Sequence, residues 1–436
     1  MIYTQENTIC SISTKKGEGA IAIIRVSGSK TINICHKIFK SKKIKNLKDY
    51  KSNKVFFGKI KKNDIVIDEV LLSYFKAPKS YTGEDVIEIS CHGSEFIQNS
   101  IIQLLIQNGC KLAQRGEFTF RAFVNGKLDL SQAEAVASLI SSKNEKSHNL
   151  AMKQMRGGYS EQIKSLRQRL IKFGALIELE LDFSTEDVEF ANREELLELI
   201  SLMKDKINPL INSFKYGNAI KNGIPIAIVG PPNSGKSTLL NKIINEERAI
   251  VSNIKGTTRD VIEETFTIEG FQFRFIDTAG LRETNDKIEK IGIKKTHQKI
   301  EEAAIIIYVI DINDFNYEQI HENILSFSKK KIEYILLANK IDISTKKVYI
   351  KNYHNEIIYC SLLNNEGLEE IQSSILQKIK KWETINHDLV ITNQRHYEAL
   401  INTLNSIKSV KSGISSNISG ELLAIDIKEA LQYLGE

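Results

Sequence analysis

Short apolar runs separated by polar, glycine-containing connections characterise the first 125 residues of the chain. Such runs predict strands when their apolar side chains cluster or alternate over five to seven positions. Strands are predicted at residues 20–26, 70–75 and 85–90. Residues 95–107 instead carry their apolar side chains on one side, which predicts an amphipathic helix that ends at Gly109. We therefore expect residues 1–125 to form an N-terminal mixed α/β domain.

Helical spacing of apolar residues follows this region and returns at the end of the chain. The helical stretches are 131–183, with a break at Gly157-Gly158, then 194–214, 397–407 and 423–434. Neither half is expected to form a core alone, so the apolar stripes are interpreted as packing surfaces rather than as a cofactor site. The pattern predicts a discontinuous helical domain, residues 126–218 and 386–436, with an α/β domain at 219–385 inserted into it.

A glycine-containing loop follows the apolar run at residues 224–229, which predicts a buried strand. The loop, Gly230-Pro231-Pro232-Asn233-Ser234-Gly235-Lys236-Ser237, matches the G-x-x-x-x-G-K-[ST] phosphate loop at every fixed position, and helical spacing resumes at Thr238. In such a loop, backbone N–H groups surround the phosphates, Lys236 reaches the outer phosphates, and the Ser237 hydroxyl binds Mg²⁺. The alternative, a glycine-rich turn with an incidental lysine, is disfavoured by the motifs that follow.

Two further motifs follow predicted strands and complete a nucleotide site. The alternating stretch 271–276 ends in Asp277-Thr278-Ala279-Gly280, which places a carboxylate beside the metal and a glycine amide near the terminal phosphate. The apolar stretch 332–338 ends in Asn339-Lys340-Ile341-Asp342, whose carboxylate can accept both hydrogen-bond donors of guanine. Adenine has no such pair of donors. The sequence therefore predicts GTP as the nucleotide and a Ras-like P-loop GTPase domain at residues 219–385.

A polar, glycine-containing stretch at residues 250–260 lies between the first helix and the next strand of this domain. The Thr258 hydroxyl is placed to be a second Mg²⁺ ligand when GTP is bound. An ordinary helix-to-strand turn would explain Gly256 but not the place of the stretch in the order of motifs. Further on, Leu281 stands where Ras-like enzymes carry the glutamine that orients the attacking water, and an apolar side chain cannot do this. The charge of the transition state still requires a compensating cation.

Composition and charge narrow the class of protein. A chain of 436 residues with 42% apolar residues is expected to form two or three domains. The net charge of +6 is modest for this length. Most of the basic residues are lysines, which indicates a solvated surface rather than a patch that binds nucleic acid. The five cysteines lack metal-binding spacing, the N-terminus lacks the features of a targeting segment, and no run of 18 apolar residues occurs. These features predict free thiols and a soluble, cytoplasmic protein that does not contact the membrane.

Three stretches resemble the MnmE family, also called TrmE, whose members are GTPase subunits of a tRNA wobble-uridine modification enzyme. The stretches are residues 17–28, residues 81–88 followed by Cys91-His92-Gly93, and residues 115–130, of which the last is highly specific. The resemblance covers essentially the whole chain. Taken without it, residues 115–130 indicate a polar loop that runs into a helix, and Glu88 indicates a solvent-facing residue on an alternating strand.

The resemblance implies that the N-terminal domain binds a one-carbon tetrahydrofolate, such as 5-formyl-tetrahydrofolate, through Arg25, Glu88 and Lys127. A cation suits the glutamate tail of folate, and a carboxylate suits the adjacent donors of the pterin. The resemblance also implies a homodimer that forms a heterotetramer with an MnmG-like, FAD-dependent subunit. This complex would add an aminomethyl or carboxymethylaminomethyl group to C5 of the wobble uridine of certain tRNAs.

The resemblance further implies that K⁺ supplies the missing cation when two GTPase domains meet. Its ligands would be Asn233 and, mainly through backbone oxygens, Ser252, Ile254 and Thr257, which suits a large and weakly hydrated ion. Glu289 matches the family's water-orienting glutamate, although the residues around it indicate only a position on a helix face.

The predicted catalytic residues are therefore Glu289, Lys236 and Thr258, and the predicted Mg²⁺ ligands are Ser237 and Thr258. The motifs and the resemblance together give the following GTP contacts: Asn233, Ser234, Gly235, Lys236, Ser237, Thr238, Ser252, Asn253, Ile254, Lys255, Gly256, Thr257, Thr258, Asp277, Thr278, Ala279, Gly280, Asn339, Lys340, Asp342, Ser361 and Leu362.

Two features depart from the family. Its members end in a Cys-[Ile/Leu/Val]-Gly-Lys tail with a functional cysteine, whereas this sequence stops at Leu434-Gly435-Glu436. Either the chain is a truncation or the tail has been lost, and in the second case we expect GTP hydrolysis while modification activity is in doubt. Ser361-Leu362-Leu363 replaces the usual Ser-Ala-[Lys/Arg], but the contact there is largely a backbone amide, so guanine specificity is expected to persist.

Two other functions compete with this reading. One is a GTP-timed ribosome or RNA assembly factor that makes no covalent change. Folate binding would favour the modification enzyme over this factor. The other is a one-carbon transferase that uses GTP only for regulation, which is weaker because no independent catalytic base is evident in residues 1–125.

Overall fold

The structure is a computed structural model. It describes residues 7–15, 17–41, 53–183, 190–247, 264–276, 302–330, 332–344, 357–385, 390–416 and 418–435. It divides into two compact units, Met1–Ala137 and Ser138–Glu436. No helix in these ranges is both long and apolar enough to cross a membrane.

A seven-stranded sheet forms the centre of the first unit. Its strands are β1 Ile9–Ile12, β2 Gly19–Ser27, β3 Phe39–Lys40, β4 Lys54–Lys62, β5 Ile65–Phe75, β6 Val86–Gly93 and β7 Lys111–Leu112. The strand order is β3-β4-β5-β6-β2-β1-β7, and neighbours are antiparallel except for β1 and β7. The three predicted strands are confirmed. The strand predicted at 70–75 begins earlier, at Ile65. The earlier part was not predicted because Asp68 and Glu69 interrupt its apolar pattern.

Two helices cover one face of this sheet. Helix α1 spans Thr31–Ile38 and helix α2 spans Glu95–Gln107, so the helix predicted at 95–107 is confirmed. Their buried residues join those of the strands in one core, with members such as Ile24, Ile34, Ile87, Ile89 and Leu105. Because side chains alternate along a strand, the residues next to these core positions project from the opposite face. Arg25 of β2 and Glu88 of β6 are therefore on the face away from the core.

Residues Glu117–Val124 form helix α3, so the interpretation of residues 115–130 as a polar loop that runs into a helix was wrong for these eight residues. Gly116 precedes the helix in the left-handed conformation, with φ of +77°. Glu117 and Arg121 lie one helical turn apart and form an ion pair at 2.9 Å. The helical period was hidden because the side chain that turns inward is Arg121, which is only 1% exposed, rather than an apolar residue.

The second unit contains both helical and sheet regions, and helix α4 crosses the division between the two units. Within the described ranges the helices are α4 Leu130–Ser141, α5 Glu145–Met155, α6 Ser160–Asp182, α7 Arg193–Asn222, α8 Lys236–Glu247, α9 Tyr317–Lys329, α10 Leu368–Ile385, α11 Gln394–Ser415 and α12 Gly420–Tyr433. The break predicted at Gly157-Gly158 lies between α5 and α6.

Helices α6, α7, α11 and α12 share one apolar core. Its members include Leu170 of α6, Met203 of α7, Ile407 of α11 and Ile427 of α12, all nearly or fully buried. The apolar stripes read from the sequence are therefore packing surfaces, as predicted. Helices separated by more than 150 residues along the chain fill this core together.

The sheet of the second unit has six strands in the order β13-β12-β11-β8-β10-β9. The strands are β8 Ile224–Val229, β9 Thr265–Ile268, β10 Phe271–Phe275, β11 Ile305–Asp311, β12 Glu333–Asn339 and β13 Ile357–Cys360. All pairs are parallel except β9 with β10. Consecutive residues of β11, such as Ile305 and Ile306, belong to cores on opposite faces of the sheet. Burial on both faces explains the continuous apolar runs in the sequence.

Helix α7 belongs to two cores. It continues to Asn222, eight residues beyond the stretch predicted at 194–214, and leads directly into β8. Its last turns bury Tyr216, Ala219 and Ile220 against the six-stranded sheet. The longer helix was not predicted because polar and small residues separate these three positions.

Gly217 is the point at which α7 meets the segment that leads into α11. A Cβ atom on Gly217 would lie 2.2 Å from the carbonyl oxygen of Ile391. Alanine gains about 1 kcal/mol over glycine in helix propensity, but overpacking costs about 1–3 kcal/mol. We expect Gly217→Ala to lower the midpoint of thermal unfolding. Ser201→Ala, at an exposed position of the same helix, should leave it unchanged or raise it. Equal midpoints for both variants would show that the segment moves away without cost.

Candidate functional site

The phosphate loop connects β8 to α8 at the carboxyl end of the parallel strands, where ligands bind in open α/β sheets. Three of its residues have positive φ, namely Gly230 at +150°, Asn233 at +59° and Gly235 at +105°. A Cβ atom on Gly235 would lie 2.2 Å from Asn339 Nδ2, and one on Gly230 would lie 2.0 Å from the carbonyl oxygen of Val309. The loop therefore requires glycine at both fixed positions of the motif.

Lys236 is folded back onto the loop. Its Nζ donates hydrogen bonds to the carbonyl oxygens of Gly230 at 2.9 Å and Pro231 at 2.5 Å. Burial lowers the pKa of this lysine, because removing the ammonium from water disfavours its charged form. A negatively charged phosphate within reach would offset that cost. The group is thus placed to exchange two carbonyl partners for phosphate oxygens.

Two serines of the loop differ in environment. Ser234 is fully buried, and its Oγ has no hydrogen-bond partner among the described residues. Such an orphaned polar atom fits a ligand or bound water that supplies the missing hydrogen bond. Ser237 lies half-buried in the first turn of α8, where an oxygen ligand of Mg²⁺ is expected. Asn233 and Thr238 are exposed beside them. The loop therefore fits the triphosphate and Mg²⁺.

Asn339, at the end of β12, joins the phosphate loop to residues 361–363, for which the sequence predicts a guanine contact and which we call the guanine-side loop. Its side chain is almost completely buried. The Nδ2 atom donates to the carbonyl oxygen of Ser234 at 2.9 Å, and Oδ1 accepts a hydrogen bond from the backbone N–H of Leu362 at 3.1 Å. One amide side chain thus ties two distant parts of the sequence to each other.

The guanine-side residues lie next to this amide. Ser361 Oγ donates to Asp342 Oδ1 at 2.7 Å, which fixes the orientation of an otherwise exposed carboxylate. Leu362 is buried in the core, while Leu363 is exposed. The backbone amide of Leu362, for which the sequence predicts a nucleotide contact, donates to Asn339 in this structure. Lys340 has positive φ, at +70°, and separates the buried Asn339 from Asp342.

Several predicted site residues lie outside the described residues. They are Ser252, Asn253, Ile254, Lys255, Gly256, Thr257, Thr258, Asp277, Thr278, Ala279, Gly280 and Glu289. Their roles as GTP contacts, Mg²⁺ or K⁺ ligands and water-orienting group stay predictions.

In the first unit, the structure brings together two of the three predicted folate contacts. Arg25 and Glu88 face each other across β2 and β6 in register, and both Nε and Nη2 of the arginine lie 2.8 Å from Glu88 Oε1. The guanidinium also lies over the rings of Tyr81, at 5.1 Å, and Phe118, at 5.5 Å. A cation and a carboxylate on one sheet face, with a loop tyrosine and a helix phenylalanine against the cation, fit a ligand that is both aromatic and charged.

The third predicted contact, Lys127, is exposed and lies near the same loop. A Cβ atom on Gly83 would lie 3.3 Å from Lys127 Cγ, and Gly83 itself has a φ of +79°. Tyr81 stands two residues earlier, and its hydroxyl lies 2.8 Å from Thr119 Oγ1 of helix α3. The loop that holds Tyr81 therefore contacts both α3 and Lys127.

A buried polar network beneath this loop was missed by the sequence analysis. Arg121 donates through Nη1 to both carboxylate oxygens of Glu84 at 3.1 Å. Glu84 Oε2 also accepts from Ser27 Oγ at 2.6 Å, and Ser27 Oγ lies 2.7 Å from Thr82 Oγ1. Only the spacing of Glu117 and Arg121 at i and i+4 hinted at this network. It holds α3, the Tyr81 loop and β2 together.

Two families match the chain in comparisons with known proteins. Residues 130–436 match the family described as the MnmE helical domain. Residues 8–127 match the family described as the GTP-binding protein TrmE N-terminus. Among solved structures, the G domain of FeoB from Methanococcus jannaschii covers 36% of this chain and 97% of its own length, with 21% identity and a TM-score of 0.26.

Curated relatives are similar over nearly their full length. The protein of Flavobacterium johnsoniae is 49% identical and covers 99% of this chain and 94% of its own sequence. Those of Bacteroides thetaiotaomicron and Cytophaga hutchinsonii are 47% and 46% identical, covering 99% and 100% of this chain and 95% and 94% of their own sequences. All three are named tRNA modification GTPase MnmE. With its phosphate loop and guanine-side residues, the chain is therefore a GTP hydrolase, and it belongs to the MnmE family of tRNA modification GTPases.

Proposed function

We propose that this chain is a K⁺-activated GTPase that, with an MnmG-like FAD-dependent subunit, modifies the wobble uridine of certain tRNAs at C5. The added group would be aminomethyl or carboxymethylaminomethyl. GTP hydrolysis would drive a rearrangement of the GTPase domains of a homodimer. The proposed GTP binding is supported above all by the Asn339 side chain, which joins the phosphate loop to the guanine-side loop. The tRNA part follows from the names of the relatives.

GTP would be held by residues from both sides of this link. Lys236 neutralises the outer phosphates, the backbone N–H groups of the loop surround them, and Asp342 accepts the two donors of guanine. Mg²⁺ would be held by Ser237 and Thr258, and would supply charge compensation at the phosphates. Ser361 supports the guanine contact because it fixes the carboxylate of Asp342.

K⁺ would occupy a site next to the phosphate loop, with Asn233 as its side-chain ligand. Asn233 is exposed at the outer edge of the loop and does not take part in the buried packing beneath it. The other proposed ligands, Ser252, Ile254 and Thr257, rest on the resemblance alone. Glu289 would orient the attacking water, since Leu281 cannot.

A one-carbon tetrahydrofolate would bind at Arg25 and Glu88, with Lys127 near the loop of Tyr81. The Arg25–Glu88 pair lies on the sheet face away from the core, and two aromatic rings border it. Folate carries carboxylates and a flat ring system with adjacent N–H and amino donors, which match these groups in charge and shape.

The K⁺ site is tested by GTP hydrolysis in K⁺ and in Na⁺ at equal ionic strength. The wild-type chain should hydrolyse GTP much faster in K⁺. In Asn233→Ala the ratio of the two rates should fall to about one, because the ion loses its side-chain ligand, while GTP still binds through the backbone and Lys236. Asn63→Ala is the matched control, because it also replaces an exposed asparagine with positive φ, at +55°. The site is rejected if Asn233→Ala keeps the wild-type ratio.

The role of Glu289 is tested by single-turnover hydrolysis. Glu289→Ala should lower the rate by about 100-fold or more, while the affinity for GTP stays near that of the wild type, because the group acts only on the attacking water. Asp286→Ala, three residues earlier in the same stretch, serves as the control. An unchanged single-turnover rate in Glu289→Ala would remove this role.

The folate site is tested by calorimetric titration with 5-formyl-tetrahydrofolate. Glu88→Gln should weaken binding by about tenfold, because a carboxylate that accepts two donors is replaced by an amide. Glu69→Gln is the control: Glu69 pairs with Lys59 at 2.7 Å across β4 and β5 on the same sheet. GTP hydrolysis should be the same in both variants. Equal folate affinities in the two variants would contradict the assignment of Glu88.

A further inference from the structure

The ends of β11 and β12 lie side by side next to the guanine-side residues. The two parallel strands pair in register, with Asp311 opposite Asn339. Immediately after them, the backbone N–H of Ile312 donates to the carbonyl oxygen of Asn339 at 3.0 Å. Asp311 therefore stands beside the residue that joins the two halves of the nucleotide site, although the phosphate loop motif, the Asp277–Gly280 motif and the Asn339–Asp342 motif do not include it.

Asp311 and Asn313 together contact both the side-chain ammonium and the backbone carbonyl oxygen of Lys340. The ammonium of Lys340 lies 2.7 Å from Asp311 Oδ2. The other oxygen of this carboxylate accepts hydrogen bonds from the backbone N–H of Asn313 at 3.0 Å and from its Nδ2 at 3.2 Å. Nδ2 of Asn313 in turn donates to the backbone carbonyl oxygen of Lys340 at 3.3 Å. A closed ring of contacts thus links the side chain of Lys340 to its own backbone.

The backbone of Lys340 needs such support. Its φ of +70° and ψ of +38° lie in the left-handed region, which is unfavourable for a residue with a side chain. This turn keeps Asn339 pointing into the molecule while Asp342, two residues after Lys340, reaches the surface. If the turn relaxed, the carboxylate of Asp342 would move away from Ser361.

The ion pair is partly shielded from water. The side chains of Lys340 and Asp311 are 32% and 19% exposed. Burial by itself would raise the pKa of Asp311, but the hydrogen bond and charge of Lys340 and the hydrogen bonds from Asn313 outweigh it, so this pKa lies below its ordinary value. The carboxylate therefore stays ionised at neutral pH, and the contact is an ion pair rather than a neutral hydrogen bond.

We propose that Asp311 is a positioning residue for guanine nucleotide binding, acting through Lys340. It holds the lysine in the conformation that places Asp342 against the base, and it keeps the apolar stem of Lys340 stretched along the same edge of the sheet. Asp311 itself need not touch the nucleotide. The inference rests on the proposed assignment of Asn339–Asp342 to guanine.

The first test is the affinity for GTP and GDP of Asp311→Asn, measured by calorimetry. This substitution keeps the shape of the side chain but removes its charge. We expect the dissociation constants of both nucleotides to rise about five- to tenfold, because partly exposed ion pairs contribute modestly. The turnover number at saturating GTP should change less than about twofold, since the residue acts at the base end and not on the phosphates. Asp311→Glu should restore part of the affinity.

Glu333→Gln is the matched control. Glu333 begins β12, at the opposite end of the strand, and pairs with Lys378 at 2.9 Å. This variant removes an ion pair of similar length from the same sheet and should leave nucleotide affinity unchanged. If Asp311→Asn lowers the thermal stability of the nucleotide-free protein but leaves both dissociation constants unchanged, the residue is merely structural and the proposal is wrong.

A double-mutant cycle shows whether Asp311 acts through Lys340. Lys340→Met removes the ammonium but keeps the backbone contact through Asn313, so in this background the further change Asp311→Asn should lower GTP affinity much less than in the wild type. A loss as large as in the wild-type background would overturn the proposed route. Asp342→Asn separates this inference from its premise. If Asp342→Asn binds GTP as the wild type does, the guanine assignment itself fails. If it binds GTP poorly while Asp311→Asn binds normally, only the role of Asp311 fails.

Discussion

The buried amide of Asn339 is the interaction on which the nucleotide site depends. A polar side chain that is almost fully buried is stable only when its donor and its acceptor are both satisfied. Asn339 meets this requirement with two backbone groups from separate loops, Ser234 and Leu362. Neither loop can shift without leaving an unpaired amide in the interior. The distance between the phosphate end and the base end of the site is thereby set before any nucleotide arrives, which lowers the entropy lost on binding.

The phosphate loop between β8 and α8 and the Asn339–Asp342 stretch after β12 could be named from the sequence, because their chemistry is tied to short, fixed spacings. A phosphate loop needs glycine where the backbone turns and a lysine at the helix start, and both are visible in a string of eight residues. Two of the parallel strands, β8 and β12, were predicted from unbroken apolar runs, which burial on both faces produces. The run at β11 is equally apolar, but no strand was predicted there. The contacts of Asp311 and Asn313 were not visible, because they arise from two strand ends that are distant in sequence.

The N-terminal site was predictable only in part, for a different physical reason. Arg25 and Glu88 could be named through a family resemblance, but their pairing depends on the register of β2 and β6, which no local pattern encodes. Helix α3 was not predicted because its inward-facing residue is Arg121, and an arginine in a sequence indicates a surface position rather than a buried one. Its burial is tolerated since Glu84 and Glu117 accept its hydrogen bonds. Polar cores of this kind lie outside what an apolar pattern can report.

Helix α7 connects the helical core to the six-stranded sheet. Its early turns are anchored in the helical core and its final turns pack against the sheet that carries the phosphate loop. We therefore expect a change in the tilt of β8 to reach the helical core through this helix, which is about 45 Å long. Pro209 lies within the part that packs into the helical core, next to Leu210. Because proline removes one helical hydrogen bond, we expect the helix to bend more easily at that turn than elsewhere.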